Sequence, residues 1–559
     1  MRNLGESQGL KVNVIAGTHV VTLGLDLEGE SRTGCLGFAI QREDHTEQKT
    51  AWMMGTKTFA ETDPGLGPGG QVSSRDHPFQ SFQWSDYAAE PEHEYTYKVV
   101  ALYGTPKALA EGTRVSVTLS TESNHATADS PHTVFFNRGA VASQEYARRF
   151  GNVKPKKLVG AEQTAAYEWL SRGLLEALLE FIARADGKEY GLYGAIYEFQ
   201  WPQALEALMA AAAAGADVSI LYDDIQGHKG PFADNEAAIE DAGIEALTKK
   251  RTRGKIMHNK FLVLTKDKQP IAVWTGSTNF TENGLFGHLN CGHAVESAAL
   301  AESFLEYWEE LCEDNQAHVE QGWLDKNNPN PPDPWDDDLV RVFSPHGDLS
   351  VLDWYADTVA GGAERALFMT FAFGMDKRFR QLYGHDDEVL RFALMDEEAA
   401  GSKAAREKAT AEIELLRKRP NVVVAVGGHL EMNAFDHWLA ESSGLTQGVQ
   451  WIHTKFMLVD PLSERPVVIT GSANFSEAST NENNENMLVI HGDTRVADIY
   501  LGEYMRLYSH YAFREAVARK WNGEKWNPGS LETTDAWQED YFLVGGQRDL
   551  RRRYFAGLG

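Results

Sequence analysis

Two histidines hold the best claim to chemistry in this chain. HNKFLVLTKDKQPIAVWTGSTNF begins at His258 and HTKFMLVDPLSERPVVITGSANF begins at His453, and the two segments align without a gap. One constant offset takes His258 to His453, Lys260 to Lys455, Gly276 to Gly471, Ser277 to Ser472 and Asn279 to Asn474. Histidine attacks phosphorus as the neutral imidazole and gives up a proton as the imidazolium, so a pair held in opposite states can serve as nucleophile and acid. An ammonium and a carboxamide beside each ring can hold the non-bridging oxygens of a phosphodiester. The two sets together meet every need of phosphodiester cleavage without a metal or other cofactor.

The elements around these residues must bring two distant sets together. In each copy His and Lys stand two apart on an apolar run, so on a strand they share one face while Phe261 or Phe456 points to the other. A second apolar strand (271–274; 467–469) and a Gly-Ser turn return the Asn beside the Lys. Upstream, 170–185 has helical apolar spacing, 192–199 reads as a buried strand, and Pro202 opens an alanine-rich helix that stops at Gly215. The strand 218–222 then completes a β-α-β unit ending in Asp223-Asp224. The Asp/Asn/Pro-rich stretch 325–338 reads as a linker, after which the pattern restarts with strands at 366–373, 389–395 and 422–426 and a strand-like segment leading into His453.

Residues 1–133 differ in texture, with short alternating segments between Gly/Pro/Asp-rich turns. Within them, 95–103 resembles the strand of immunoglobulin-like or fibronectin-type sandwiches that carries a corner tyrosine. The aromatics Phe79, Phe82, Trp84 and Tyr87 are expected to fill its core. The expected architecture is therefore α/β: two similar α/β/α halves, 134–324 and 339–559 with a C-terminal tail, forming one pseudo-two-fold catalytic unit. They are joined by the linker 325–338 and preceded by an all-β sandwich at 1–133.

At the repeated motifs the chain resembles the phospholipase D superfamily, whose signature is HxKxxxxD followed by GSxN, present twice per active site. The second copy matches at His453, Lys455, Asp460, Gly471, Ser472 and Asn474, whereas the first has Thr265 in place of the Asp. The resemblance implies that His258 becomes phosphohistidine and that His453 protonates the leaving group, after which water or an alcohol releases the phosphoryl group. It also implies that the motif Asp is structural. A carboxylate downstream of one motif orients the His of the opposite half, a part that Glu485 fills in the second copy. The equivalent first-copy stretch, His288-Leu289-Asn290-Cys291, has no carboxylate. Charge-neutral support would make His453 the stronger acid and leave His258 the better nucleophile.

Composition bounds the partners. The 559 residues are 42% hydrophobic and 24% charged, with a formal charge of −28 that disfavours a nonspecific polyanion or anionic-membrane binder. Against that background Lys249, Lys250, Arg251, Arg253 and Lys255, crowded just before the first motif, are candidate contacts to the phosphates flanking the scissile one. Arg548 and Arg551 to Arg553 read as a surface tail. The basic segment, with the likeness of 484–490 to small bacterial endonucleases of the superfamily, favours nucleic acid as substrate. The alternatives are a phospholipase D that hydrolyses or transphosphatidylates diacyl lipids, and an inactive binding module. A tyrosyl-DNA phosphodiesterase role is disfavoured because that family lacks the Asp in both copies. His288 and His293 lack carboxylate or thiolate partners at ligand spacing and are placed with the pocket lining instead of a metal. Three cysteines without a CxxC pair suggest free thiols, and no apolar run suits a signal peptide or membrane span, so a cytoplasmic protein is expected. With both half-sites in one chain, a monomer suffices and oligomers are optional.

Overall fold

The computed structural model describes all residues except 67–69, 140–142, 152, 227–229, 330, 333–334, 336, 397–401, 428–451, 521–528 and 559. Two seven-stranded sheets dominate, and they share one topology. The first runs His132–Phe136, Cys291–Val295, Gln269–Gly276, Lys260–Lys266, Tyr190–Ile196, Asp217–Asp223, Thr248–Arg251 across the sheet. The second runs Leu339–Ser344, Glu485–His491, Val467–Gly471, Phe456–Val459, Ala366–Phe371, Leu390–Met395, Val422–Val426. In both, the last three strands pair in parallel and the other pairings are antiparallel. The parallel pair Tyr190–Ile196 and Asp217–Asp223 is bridged by the helix Pro202–Ala214, with Pro at its first turn and Gly215 at φ +108 closing it.

The helix expected across 170–185 is two helices, Ala161–Ser171 and Leu174–Ala183. Arg172 and Gly173 both adopt positive φ between them, and a Cβ on Gly173 would lie 2.7 Å from the Phe135 ring, so the chain turns where only glycine fits. The helix Ala317–Asn327 enters the expected linker, while the strand-like segment before His453 lies outside the described residues.

The two sheets pack through a common core. Phe261, Val263, Val273 and Cys291 of the first half meet Phe368, Phe456, Leu458 and Leu488 of the second, with Phe304 and Tyr307 from helix Ala298–Cys312 and Tyr500 and Tyr504 from helix Thr494–Lys520. Burying so much apolar surface between the halves fixes their relative placement.

The N-terminal part is all β. Arg2–Ser7, Leu10–Ala16, Val21–Leu27 and Gln83–Asp86 form one four-stranded sheet, and Ala108–Ser120, Glu94–Thr105, Gly37–Asp44 and Lys49–Trp52 form another. Val115, Val117 and Leu119 are buried while Arg114, Ser116 and Thr118 are exposed, the period-two pattern of a sheet with one wet face. The Tyr95 hydroxyl accepts a hydrogen bond from the Glu90 backbone N–H at 3.0 Å. Phe82 is buried, but Tyr87 is 42% exposed and donates to Ser509 Oγ at 2.6 Å, tying this part to the second half.

The C-terminal segment is not a surface tail. Trp537 inserts among Phe38 and Phe82 and donates to the Cys35 carbonyl at 2.9 Å. Arg552 is buried in ion pairs with Asp26 and Asp549, and Phe555 packs on Phe368 and Phe392 of the second half. Trp537 on the N-terminal sheets and Phe555 on the second half wedge the segment between the two, which the arginine-rich sequence of its last helix conceals. The three cysteines are free thiols. Among the described residues no helix is long and apolar enough to cross a membrane.

Candidate active site

His258 stands two residues before the strand Lys260–Lys266 and His453 three residues before the strand Phe456–Val459, so the histidines, and Lys455 with them, lie on the approach to the strand instead of within it, and the other half holds each histidine there. His258 N–H donates to the Asn484 carbonyl at 2.9 Å and His453 N–H to the Leu289 carbonyl at 3.3 Å, within parallel bridges Met257–Asn484 and Leu289–Ile452. This exchange of backbone brings the two rings to a centroid separation of 6.4 Å. Both can then reach the substituents of one phosphorus atom.

The side-chain supports differ. His258 Nδ1 donates to Glu485 Oε2 at 2.9 Å, and His453 Nδ1 donates to Asn290 Oδ1 at 2.9 Å. Asn290 occupies the repeat position of Glu485, a correspondence visible in the constant offset but hidden from a search for carboxylates. Its amide orientation is set by Nδ2 donating to the Gly284 carbonyl at 2.8 Å, while Ser277 Oγ donates to Oδ1 at 2.8 Å. Glu485 is likewise braced by Ser479 Oγ at 3.1 Å. With both Nδ1 atoms committed, Nε2 of each ring is the atom left for reaction.

The lysines are placed alike. Lys260 Nζ donates to the His258 carbonyl and Lys455 Nζ to the His453 carbonyl, each at 2.6 Å, and both side chains are buried. Burial pulls Lys260 down to about 8, against the opposing charges of Glu485 and Glu198. It pulls Lys455 down to about 7, helped by the like charge of Lys260. The His258 pKa falls to about 4 through burial, offset in part by Glu485, and that of His453 falls well below the ordinary value through burial, Lys455 and His288. Burial and the neighbouring cations thus favour the neutral form of both rings instead of splitting them. An anion placed between the rings would act against these shifts and favour the imidazolium.

Asn279 donates Nδ2 to Glu198 Oε2 at 2.5 Å, and the Oδ1 atoms of Asn279 and Asn474 are buried without a hydrogen-bond partner. Glu198, whose pKa is raised by burial, went unsuspected because the second half has Phe373 at the matching sheet position and the repeat offers no counterpart. The Tyr197 ring, 4.9 Å from that of His258, was missed for the same reason. Ser277 accepts from Cys291 N–H at 3.1 Å, and Ser472 from Asn486 N–H at 3.0 Å, which ties each Gly-Ser turn to the adjacent strand.

Asp460 lies at the end of its strand away from His453 and accepts three backbone N–H groups, from Glu364, Arg365 and Ala366, at 2.7 to 2.8 Å. Its counterpart Thr265 makes one bond, donating to the Gly191 carbonyl at 3.4 Å. The basic run separates into two groups. Arg251 is fully buried in ion pairs with Asp314 (3.2 Å) and Glu320 (3.0 Å), and Lys250 is paired with Glu236 and Asp224. Arg251 is therefore closed to substrate, because its strand turns it into the protein. Lys249 lies over the Trp308 ring, whereas Arg253 and Lys255 are exposed on the loop that leads to His258, with Gly254 beside Asn484. His288 lies in the pocket, its ring 5.5 Å from that of His453. His293 does not; it is buried between His132 (2.8 Å) and Tyr500 (3.0 Å). Among the described residues no cluster of three or more His, Cys, Asp or Glu is arranged to hold a metal.

Residues 178–312 and 394–507 match the family model described as "Cardiolipin synthase, PLD-like domain". Among solved structures, the phosphatidylserine synthase of Haemophilus influenzae Rd KW20 is similar at 11% identity over 61% of this chain and 85% of its own, with a TM-score of 0.42. Nuc from Salmonella typhimurium, a phospholipase D family member, is 29% identical over 25% of this chain and 87% of its own, with a TM-score of 0.21. The polyphosphate kinase of Porphyromonas gingivalis is 11% identical over 56% of this chain, with a TM-score of 0.34, and the match spans only 42% of the kinase. No curated protein matches the chain. The two segments that match this phospholipase D-like domain hold the two His-Lys-Asn sets between them.

Proposed function

We propose that this chain is a metal-independent phosphodiesterase working through a phosphohistidine, with nucleic-acid phosphodiesters as its favoured substrates. The observation that carries the reading is the unequal support of two facing imidazoles, a carboxylate on His258 and a carboxamide on His453. Glu485 stabilises positive charge as it develops on His258, so Nε2 of His258 attacks phosphorus and the P–N bond forms as the bond to the leaving oxygen breaks. His453 gives its Nε2 proton to that oxygen and then, as the neutral base, takes a proton from the water that attacks the phosphohistidine. Lys260, Lys455, Asn279 and Asn474 hold the non-bridging oxygens.

Arg253 and Lys255 support the nucleic-acid reading, since they are exposed beside the first histidine in an otherwise acidic chain. In the same reading the N-terminal sheets form a fibronectin-type sandwich, supported by the strand orders and the Tyr95–Glu90 contact. The test is to incubate the protein with excess chelator and single-stranded DNA, double-stranded DNA, RNA, or phosphatidylcholine and phosphatidylglycerol vesicles, beside His258→Ala. Cleavage of nucleic acid that survives chelation and vanishes in the variant is expected. Consumption of the vesicles alone would move the substrate to diacyl lipids, and activity that chelator removes but the substitution spares would place the chemistry elsewhere.

A further inference from the structure

A third imidazole in the pocket has no part in the two-histidine scheme. His288 lies between the first-half turn Asn283–Gly287 and the strand Cys291–Val295, so its place is fixed by backbone at both ends. Its backbone N–H donates to the Asn283 carbonyl at 2.7 Å, and its carbonyl accepts from Asn137 Nδ2 at 2.7 Å. The main chain is thus fully tied, but the ring is not. Both Nδ1 and Nε2 are buried and neither has a hydrogen-bond partner. A buried ring with a donor and an acceptor both unsatisfied is costly, and a catalytic role is one of the few physical reasons to keep such a group.

The ring lies beside that of the second histidine. Its centroid is 5.5 Å from that of His453, at an interplanar angle of 45°, and it feels the charge of Lys455. An N–H···O bond of ordinary length places the accepting oxygen about 4 Å from the centroid of the donating ring. Two rings 5.5 Å apart can therefore both reach a single oxygen atom. The His258 ring is 4.9 Å from that of Tyr197 and 6.4 Å from that of His453. The second half has Asn483 at the repeat position of His288, so the additional imidazole belongs to one side of the pocket only.

We propose that His288 is a catalytic residue that donates an N–H to the leaving oxygen alongside His453, a role that rests on the phosphodiesterase reading above. In the step, the His258 Nε2–P bond forms, the P–O bond breaks with its electron pair going to oxygen, and the proton on that oxygen comes from His453. His288 keeps its own proton and stabilises the developing alkoxide by hydrogen bonding. The site is thereby matched to poor leaving groups, the alkoxides of sugars or glycerol, for which stabilisation of charge on oxygen matters most.

The test compares leaving groups. Wild type, His288→Phe, His288→Gln and His258→Asn are assayed on bis(p-nitrophenyl) phosphate, whose phenolate departs without help, and on a short oligonucleotide, whose alkoxide does not. His288→Phe is expected to lower kcat on the oligonucleotide by about 30-fold or more and on the nitrophenyl diester by no more than about threefold, with His288→Gln recovering part of the loss. Thermal unfolding of each variant at the wild-type midpoint shows that the fold is kept. Equal losses on the two substrates, or none on either, overturn the role of His288 while leaving the site intact. Wild-type protein that cleaves neither diester, or cleavage that persists in His258→Asn, overturns the phosphodiesterase reading and this role with it.

Discussion

Glu485 of the second half hydrogen-bonds Nδ1 of His258 in the first, across 227 residues of sequence, and Asn290 of the first half does the same for His453 across 163. The exchange is reciprocal in geometry and unequal in charge. Only one of the two histidines has an anion behind it, and the direction of the proposed reaction follows from that difference.

If His258 is the nucleophile, brief exposure to a phosphodiester labelled at phosphorus, followed by quenching in base, leaves acid-labile label on the peptide that contains His258. Label on the peptide of His453 would reverse the assignment. Glu485→Gln keeps the hydrogen bond and removes the charge, so kcat falls by about 100-fold or more with little change in KM.

Asn290→Asp places a negative charge 2.9 Å from His453 Nδ1. A neighbouring anion favours the imidazolium and raises its pKa, so His453 becomes a weaker acid. The limb of the pH–rate profile that reports the acid moves to higher pH and the maximal rate drops. A profile that does not move would separate His453 from the proton-transfer step.

Stability also depends on the histidines. Burial lowers His258 and His346 to about 4, with partial opposition from Glu485 and Asp348 respectively, and it lowers His288 further. An unfolded histidine titrates near about 6.5. Between those values the unfolded chain binds more protons than the folded one, so the stabilisation is complete above about 6.5 and is lost as pH falls toward 4. The urea midpoint is expected to drop between pH 7 and pH 5. His346→Gln, outside the proposed chemistry, should reduce the dependence.

The basic run before the first motif divides by function. Arg251→Met strands Glu320 in the interior and is expected to cost about 3–5 kcal/mol of unfolding free energy, read by denaturant titration. Arg253→Ala combined with Lys255→Ala leaves the unfolding midpoint within error and raises KM for an oligonucleotide about tenfold at low salt, less at high salt.

Much of the site could be read from the sequence because a repeat records geometry twice. The spacing of His, Lys and Asn around Phe261 and Phe456 pointed to strands that carry both His and Lys, whereas the strands begin at Lys260 and Phe456 and leave His258, His453 and Lys455 on the segments leading into them. What the sequence hid were residues without a repeated partner or with a changed one. Glu198 faces Asn279 from a strand end whose counterpart is Phe373, so no pattern marked it. Asn290 was visible in a named stretch, but its carboxamide escaped a search for carboxylates. Charge alone misled at Arg251 and Arg552, because arginine, mostly exposed in folded proteins, is buried when acids such as Glu320 and Asp26 pair with it. The break at Gly173 depends on contact with the distant Phe135, which local periodicity cannot register.

The backbone bridges Met257–Asn484 and Leu289–Ile452 have a consequence for how such a catalyst can diversify. If the same pocket were assembled from two identical protomers, any change behind one histidine would be copied behind the other, and Glu485 could not face His258 while Asn290 faces His453. Joining both contributors covalently frees each position to drift independently. The unequal support of the two imidazoles is thus a property that a pair of identical protomers cannot hold and a single chain with two unlike halves can.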